Sequence, residues 1–353
     1  MQLTISRTDL SRVLSSVGRV VETRNTIPIL GHVRLSADGG LLRVTGTDLD
    51  IVATDTATAT VDEPGAICVS AKLLSDIAKK AGAADVTLSE DNGQLIVKSG
   101  RSKFTLQTLP TSDFPDMTSG KYPTRFSIDL VAFVAPTTFA ISSEETRYYL
   151  NGVFLKGEGG KLTAVATDGH RLARHVIEAT EVFEGIIIPR KTIGLLPKGT
   201  VTLAVSESKV EITTGDFVIT SKLIDGTFPD YERVIPRNNE NLVVVDRDAF
   251  MKAADRVSTV SSERGRAVKL SIAPGSVGFT VSSPDSGSAT DEIEAEYSGE
   301  PIDIGFNAAY LRDLFGVLPA GSATIAIADS GSPALFTSPA FDGLTLVGMP
   351  MRV

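Results

Sequence analysis

Apolar residues along this chain switch repeatedly between two spacings. In LTISRTDLSRVLSSVGRVV a short alternating run gives way to Leu10, Val13, Leu14, Val17 and Val21 at intervals of three and four. That change predicts a strand followed by an amphipathic helix, with Thr8 or Asp9 as the N-cap. The pattern returns in RFSIDLVAFVAPTTFAIS, where Leu130, Phe133, Val134, Thr137 and Ile141 share a face. It returns again in LVVVDRDAFMKAADRVSTV with Phe250, Ala253, Ala254 and Val257. Alternating strands follow each helix, and midway comes a second strand-then-helix: GAICVSAKLLSDIAKKAG, EGIIIPRKTIGLLPKG and PIDIGFNAAYLRDLFGVL. The unit recurs about every 115 to 120 residues. The tripeptide FPD at 114–116 and 228–230 marks equivalent points in two copies, and polar, turn-rich linkers lie near 118–124 and 235–241. The expected architecture is α+β, with three repeated domains at 1–119, 120–238 and 239–353. Within the second, Pro136 should bend its helix, and Pro197 should cut short the helix of PRKTIGLLPKG.

A chain of 353 residues exceeds one ordinary core, as three domains require. Tryptophan is absent and aromatics are 6% of residues, so aliphatic cores are expected. The single cysteine, Cys68, excludes an internal disulfide framework and fits a reducing compartment. No N-terminal apolar run resembles a signal peptide, and no segment approaches the roughly 18 apolar residues of a membrane span. A cytoplasmic protein without membrane contact is expected.

The formal net charge of −9 argues against a generally basic surface. Its distribution tells more. Arg12 and Arg19, like Lys72 and Lys79, are seven residues apart and share a helix flank, and Lys252 and Arg256 are four apart. Acidic residues gather instead at 89–93, 178–184 and 290–300. Each pair alone reads as a solvated face; together they predict basic helices on one side and an acidic sheet on the other, able to meet phosphates despite the net charge.

Catalytic signatures are missing. The chain has no phosphate-binding G-x-x-x-x-G-K-[ST] loop, no dinucleotide G-x-G-x-x-G and no G-x-S-x-G elbow. Cys68, in AICVS, reads as a buried small hydrophobe rather than a reactive thiol. Asp168, His170 and His175 in TDGHRLARH are the candidates for a metal-dependent hydrolase, with His32 far away in sequence. If extended, 168 and 170 share a face that 175 does not. The competing reading of TDGH is a turn, with Gly169 at positive φ and Asp168 accepting from backbone amides.

The chain resembles the bacterial sliding clamp family, the beta subunit of DNA polymerase III, over essentially its full length. The resemblance is carried in order by TIPILGHVRL, LRVTGTDLDI, LPTSDFPDM, RYYLNGVFL, TAVATDGHRLA, IIPRK, DGTFPDYERVIP, IGFNAAYL and the terminal MPMRV. It implies a non-enzymatic, cofactor-free protein forming a head-to-tail homodimeric ring, with helices lining the hole and antiparallel sheets outside. Implied partners are duplex DNA without sequence preference, the replicative polymerase catalytic subunit, the clamp loader, and other polymerases and repair proteins carrying a short peptide motif. The resemblance puts DNA contacts at Arg24, Lys72, Tyr148 and Tyr149. Glu144 departs from it, replacing an amide that touches DNA in the family. Segment 98–104 of one protomer is expected to face the region of Glu300 and Asp303 of the other. The implied peptide pocket comprises Leu150, Thr167, Gly169, His170, Arg171, Leu172, Pro229, Arg233, Val234, Val347, Met349, Pro350, Met351 and Arg352. Gly348 stands for a bulkier apolar residue, and Gly331 and Pro333 are expected at the pocket edge.

Overall fold

The computed structural model describes residues 1–22, 26–117, 120–260, 267–284 and 286–353. Six α-helices occur among them: α1 (Arg7–Gly18), α2 (Ala71–Lys80), α3 (Leu130–Val134), α4 (Arg190–Leu195), α5 (Arg247–Ser258) and α6 (Ala308–Val317). The strands form two antiparallel sheets, of thirteen and twelve strands. Compact units follow these sheets, one holding 1–131 and 191–223, the other 132–190 and 224–353.

The repeats and the sheets do not share boundaries. Strands Thr124–Ile128, Val201–Val205, Lys209–Thr214 and Phe217–Lys222 of the second repeat belong to the first sheet. They join it where Val218 to Ser221 pair with Thr54 to Ile51. The second repeat's other strands, Gly152–Glu158, Lys161–Thr167, Arg171–Glu178 and Phe183–Pro189, belong to the second sheet. There Arg171 to His175 pair with Gly348 to Leu344 of the third repeat. Antiparallel edges left open by one repeat are closed by the next, which removes exposed ladder groups.

Helix faces fall where the spacing put them: Leu10, Val13, Leu14 and Val17 are buried on α1, and Phe250, Ala253, Ala254 and Val257 on α5. The first cap is corrected. Ser6 caps α1, its hydroxyl accepting from Asp9 N at 3.0 Å, and the helix stops at Gly18, before Val21. In the second repeat, Leu130, Phe133, Val134, Thr137 and Ile141 are all buried, yet only the first turn is α-helical. From Ala135 to Ala140 the chain winds as a 3-10 helix with Pro136 in its first turn, a position that needs no proline N–H. Helix α4 ends at Leu195, before the conformational restriction that Pro197 imposes on its neighbour.

The aliphatic-core expectation fails in the third repeat. Phe250, Phe279, Phe306, Phe315 and Phe336 are all fully buried, and Phe250 stacks on Phe315 at 3.9 Å between centroids. Few aromatics across the whole chain left room for this local concentration. Gly348 is explained by the same cluster: a Cβ there would lie 3.0 Å from both Leu314 Cδ1 and Phe336 Cε2.

Charges expected to face outward are partly spent inside the protein. Arg12 pairs with the buried Asp55 at 2.9 Å and donates to Thr56 O, while Arg19 donates to the carbonyl of Gly194 at 2.6 Å, at the end of α4. Arg256 pairs with Asp291 at 2.6 Å. Lys72, Lys79 and Lys252 are exposed, with no ion pair among the described residues.

Candidate functional site

The segment Thr167–Arg171 is a turn. Asp168 Oδ1 accepts from the backbone N–H groups of His170 at 2.9 Å and Arg171 at 3.0 Å. Thr167 Oγ1 accepts from Gly169 N and donates to Arg171 O at 2.8 Å, closing the loop on itself. Gly169 has φ of 87°, in the left-handed region that glycine adopts without a Cβ clash.

This geometry leaves no hydrolytic centre. Asp168 is occupied by the two amides and by the Arg171 guanidinium at 3.0 Å. His175 is buried in the following strand, its Nδ1 2.8 Å from Phe133 O and its ring between Phe133 and Phe341. His170 lies against Tyr310, and its carbonyl accepts from Met349 N. His32 Nδ1 is 2.8 Å from Pro28 O. No cluster of three metal-ligating side chains occurs among the described residues. Cys68 is fully buried, and burial pushes its thiol up to about 11.

Beside the turn lies an apolar cavity of about 210 Å³. Nine of the fourteen expected pocket residues line it: Leu150, Thr167, Gly169, Arg171 and Leu172 from the second repeat's sheet side, Pro229 and Val234 from the chain after it, and Val347 and Met349 from the terminal strand. The tenth, Tyr231, was missed, although it directly follows the repeated FPD tripeptide. His170, Arg233, Pro350, Met351 and Arg352 are outside the lining, as are Gly331 and Pro333. Gly331 is held in its own turn by Asp329, and the Pro333 carbonyl accepts from Asn239. Beneath the cavity, Leu150, Leu172 and Val347 continue into a core with Val165, Ile187 and Phe228. The floor is therefore continuous with packed, low-entropy structure, as a preformed site requires.

Arg171 fixes the cavity wall. Besides Asp168, its guanidinium binds Asp313 of α6 and donates to Phe139 O at 2.9 Å. It also sits 4.5 Å from the centroid of the Tyr310 ring. With only 12% of its side chain exposed, this charge is satisfied on every side. Sequence reasoning missed Asp313 and Tyr310, whose approach depends on the terminal strand pairing with the second repeat.

The tyrosine pair lies on a 3-10 turn, Glu145–Leu150. Tyr148 is 53% exposed, while Tyr149 is half-buried and packs on Gly226, where a Cβ would come within 3.0 Å of it. Glu144 pairs with Arg147 at 3.1 Å. Lys72 opens α2 and borders a cleft shared with Arg19, His32 and Lys79. Arg24 lies outside the described residues. In segment 98–104, Lys98, Arg101 and Lys103 are exposed, as is Phe104. Asp303 is less free than expected: hydrogen bonds from Lys269 and Ser271 hold its carboxyl below the usual range.

Models of the N-terminal, central and C-terminal domains of the DNA polymerase III beta subunit match residues 1–118, 128–230 and 232–352. The beta sliding clamp of Caulobacter vibrioides is 46% identical, and that of Escherichia coli 32%, with both chains covered completely in each case. Among solved structures, the Caulobacter crescentus pol III beta chain superposes with a TM-score of 0.96 over the full length of both chains at 46% identity. A DnaN sliding clamp from Bartonella birtlesii, solved bound to griselimycin, gives 0.95 at 42% identity, again over both full lengths.

Proposed function

Because the chain belongs to the DNA polymerase III beta-subunit family, the bacterial DNA sliding clamps, we propose that it closes around duplex DNA as a head-to-tail homodimer and docks its partners in the cavity beside Thr167–Arg171. Its domains span 1–119, 120–238 and 239–353. In such a dimer the two ends of the chain carry different, complementary surfaces, so the contact is heterologous and closes into a ring. The exposed cations of 98–104 face the acidic region of Glu300 and Asp303 on the partner.

The observation that carries the docking reading is the cavity itself. It is small, apolar, walled by a charge-satisfied Arg171 and rimmed by Met349 and Val234, both exposed. A flexible thioether at the rim of a rigid floor accommodates several short peptides. The polymerase catalytic subunit, the clamp loader and repair proteins are the partners this fits. The hydrolase alternative has no support, since Asp168, His170 and His175 each have a structural task.

DNA is held by enclosure, so contacts with phosphates are sparse and exchangeable and no base is read. Lys72, Tyr148 and Tyr149 offer that kind of contact, and Arg24 joins them by family resemblance. Glu144 opposes phosphate and spends its charge on Arg147 instead. The test is retention after loading by a clamp loader and ATP. The protein stays on circular DNA and is lost when the circle is linearised; equal retention on both would contradict enclosure.

A further inference from the structure

Three arginines beside the cavity each pair with an acid three residues earlier: Glu144 with Arg147 at 3.1 Å, Asp168 with Arg171 at 3.0 Å, and Asp230 with Arg233 at 2.7 Å. They divide by burial. Arg171 is locked by Asp313 and Phe139 O and cannot turn outward. Arg147 and Arg233 are 46% and 86% exposed, and among the described residues their ion-pair partners are exposed acids. They also stand at two edges of the opening. Arg147 Nη1 lies over Gly169, only 2.7 Å from where a Cβ would be, and Gly169 lines the cavity. Arg233 sits in the turn Tyr231–Arg233, directly before the lining residue Val234.

We propose that Arg147 and Arg233 are latched cations that select partner peptides with acidic residues flanking the apolar anchor. The proposal rests on the reading of the cavity as a peptide pocket. Exposed pairs of this kind are weak, so a carboxylate delivered beside the seated anchor exchanges readily with Glu144 or Asp230. Exchange keeps each guanidinium paired, while the displaced acid returns to water. The latches therefore do two things. They suppress the attraction of free anions to the rim, and they blunt the preference for acidic flanks without abolishing it. Specificity here is a difference between two peptides sharing one anchor, set by rim charge.

The experiment titrates two synthetic peptides into the full-length protein by calorimetry at low ionic strength. Both carry the same apolar anchor; one has Asp and Glu on either side, the other Asn and Gln. The acidic peptide binds about fivefold tighter, a difference matched to exchangeable exposed pairs and lost at high salt. In the Glu144→Gln, Asp230→Asn variant the ratio of affinities widens. In the Arg147→Ala, Arg233→Ala variant the ratio falls to one, and Arg147→Lys with Arg233→Lys restores most of it. Equal binding of the two peptides to the unaltered protein overturns the proposal, as does a preference that survives loss of both arginines. If the unaltered protein binds neither peptide, the pocket reading itself falls and the proposal with it. Binding of both with a ratio of one refutes the latches alone.

Discussion

The turns Thr47–Ile51 and Thr167–Arg171 are built alike and put to different uses. In both, the threonine hydroxyl donates to the carbonyl four residues on, at 2.9 and 2.8 Å, and accepts from the amide two residues on, at 3.1 Å. In both, the aspartate accepts from the amides two and three residues on, and the central residue has positive φ, 82° at Leu49 and 87° at Gly169. Their surroundings separate them. Around the first turn, Lys191 bridges Asp48 at 2.5 Å and Glu22 at 2.6 Å, and Lys222 pairs with Asp50 at 3.0 Å. Burial works against the charge on Lys191, and the hydrogen bonds it donates to Asp48 and Glu22 more than offset it, leaving the ammonium above its usual range. Around the second turn the fifth residue is Arg171, itself held by Asp168, Asp313 and Phe139 O, and the apolar space beside it is left open. A repeated backbone device thus becomes a clasp where the next repeat supplies lysines, and the border of an open apolar cavity, the proposed docking site, where it does not.

The largest expected effect is at Arg171. Arg171→Ala leaves Asp168 and Asp313 without their shared cation and costs roughly 3 kcal/mol in urea unfolding, the range for breaking a largely buried pair. It also ends peptide binding. Lys191→Ala is the parallel change at the first turn and costs about 1 to 2 kcal/mol, because the carboxylate of Asp48 is only 6% exposed. Peptide affinity should not change. A loss of affinity in the lysine variant would erase the distinction between clasp and pocket.

Much of this was legible beforehand, for identifiable reasons. Helix faces followed from spacing, and the TDGH turn followed from Gly169 and Asp168. Nine residues to which the family resemblance, not composition, points line one cavity. What escaped depended on tertiary approach. Arg12 and Arg19 looked like free surface cations, but Asp55 and the end of α4 sit within reach only in the folded sheet. Asp313 and Tyr310 join the site through strand pairing across more than 140 positions of sequence, as in the Arg171–Asp313 contact with its separation of 142. The five buried phenylalanines were hidden because a whole-chain average dilutes a local cluster.

Smaller effects sharpen the comparison at its central residue. Leu49→Gly should stabilise by about 0.5 to 1 kcal/mol, relieving left-handed strain at some cost in chain entropy. Gly169→Ala should destabilise by about 1 to 2 kcal/mol by adding that strain, while the exposed Arg147 side chain moves aside. Thermal unfolding of both variants measures the opposite signs. The smallest effect concerns Cys68, which packs with Ile29, Leu30 and Phe114 in the first repeat. Its thiol, raised to about 11 by burial, should resist iodoacetamide at pH 8 until the protein unfolds. Rapid alkylation of the native protein would mean that the first repeat, like the second, is open there.

Hydrogen exchange on the full-length protein, with and without a saturating partner peptide, tests the central contrast most directly. Added peptide should slow exchange of amides at 167–172 and 347–349 and leave those at 47–51 unchanged. Protection at 47–51, or none at 167–172, would contradict the assignment of one turn to binding and the other to structure.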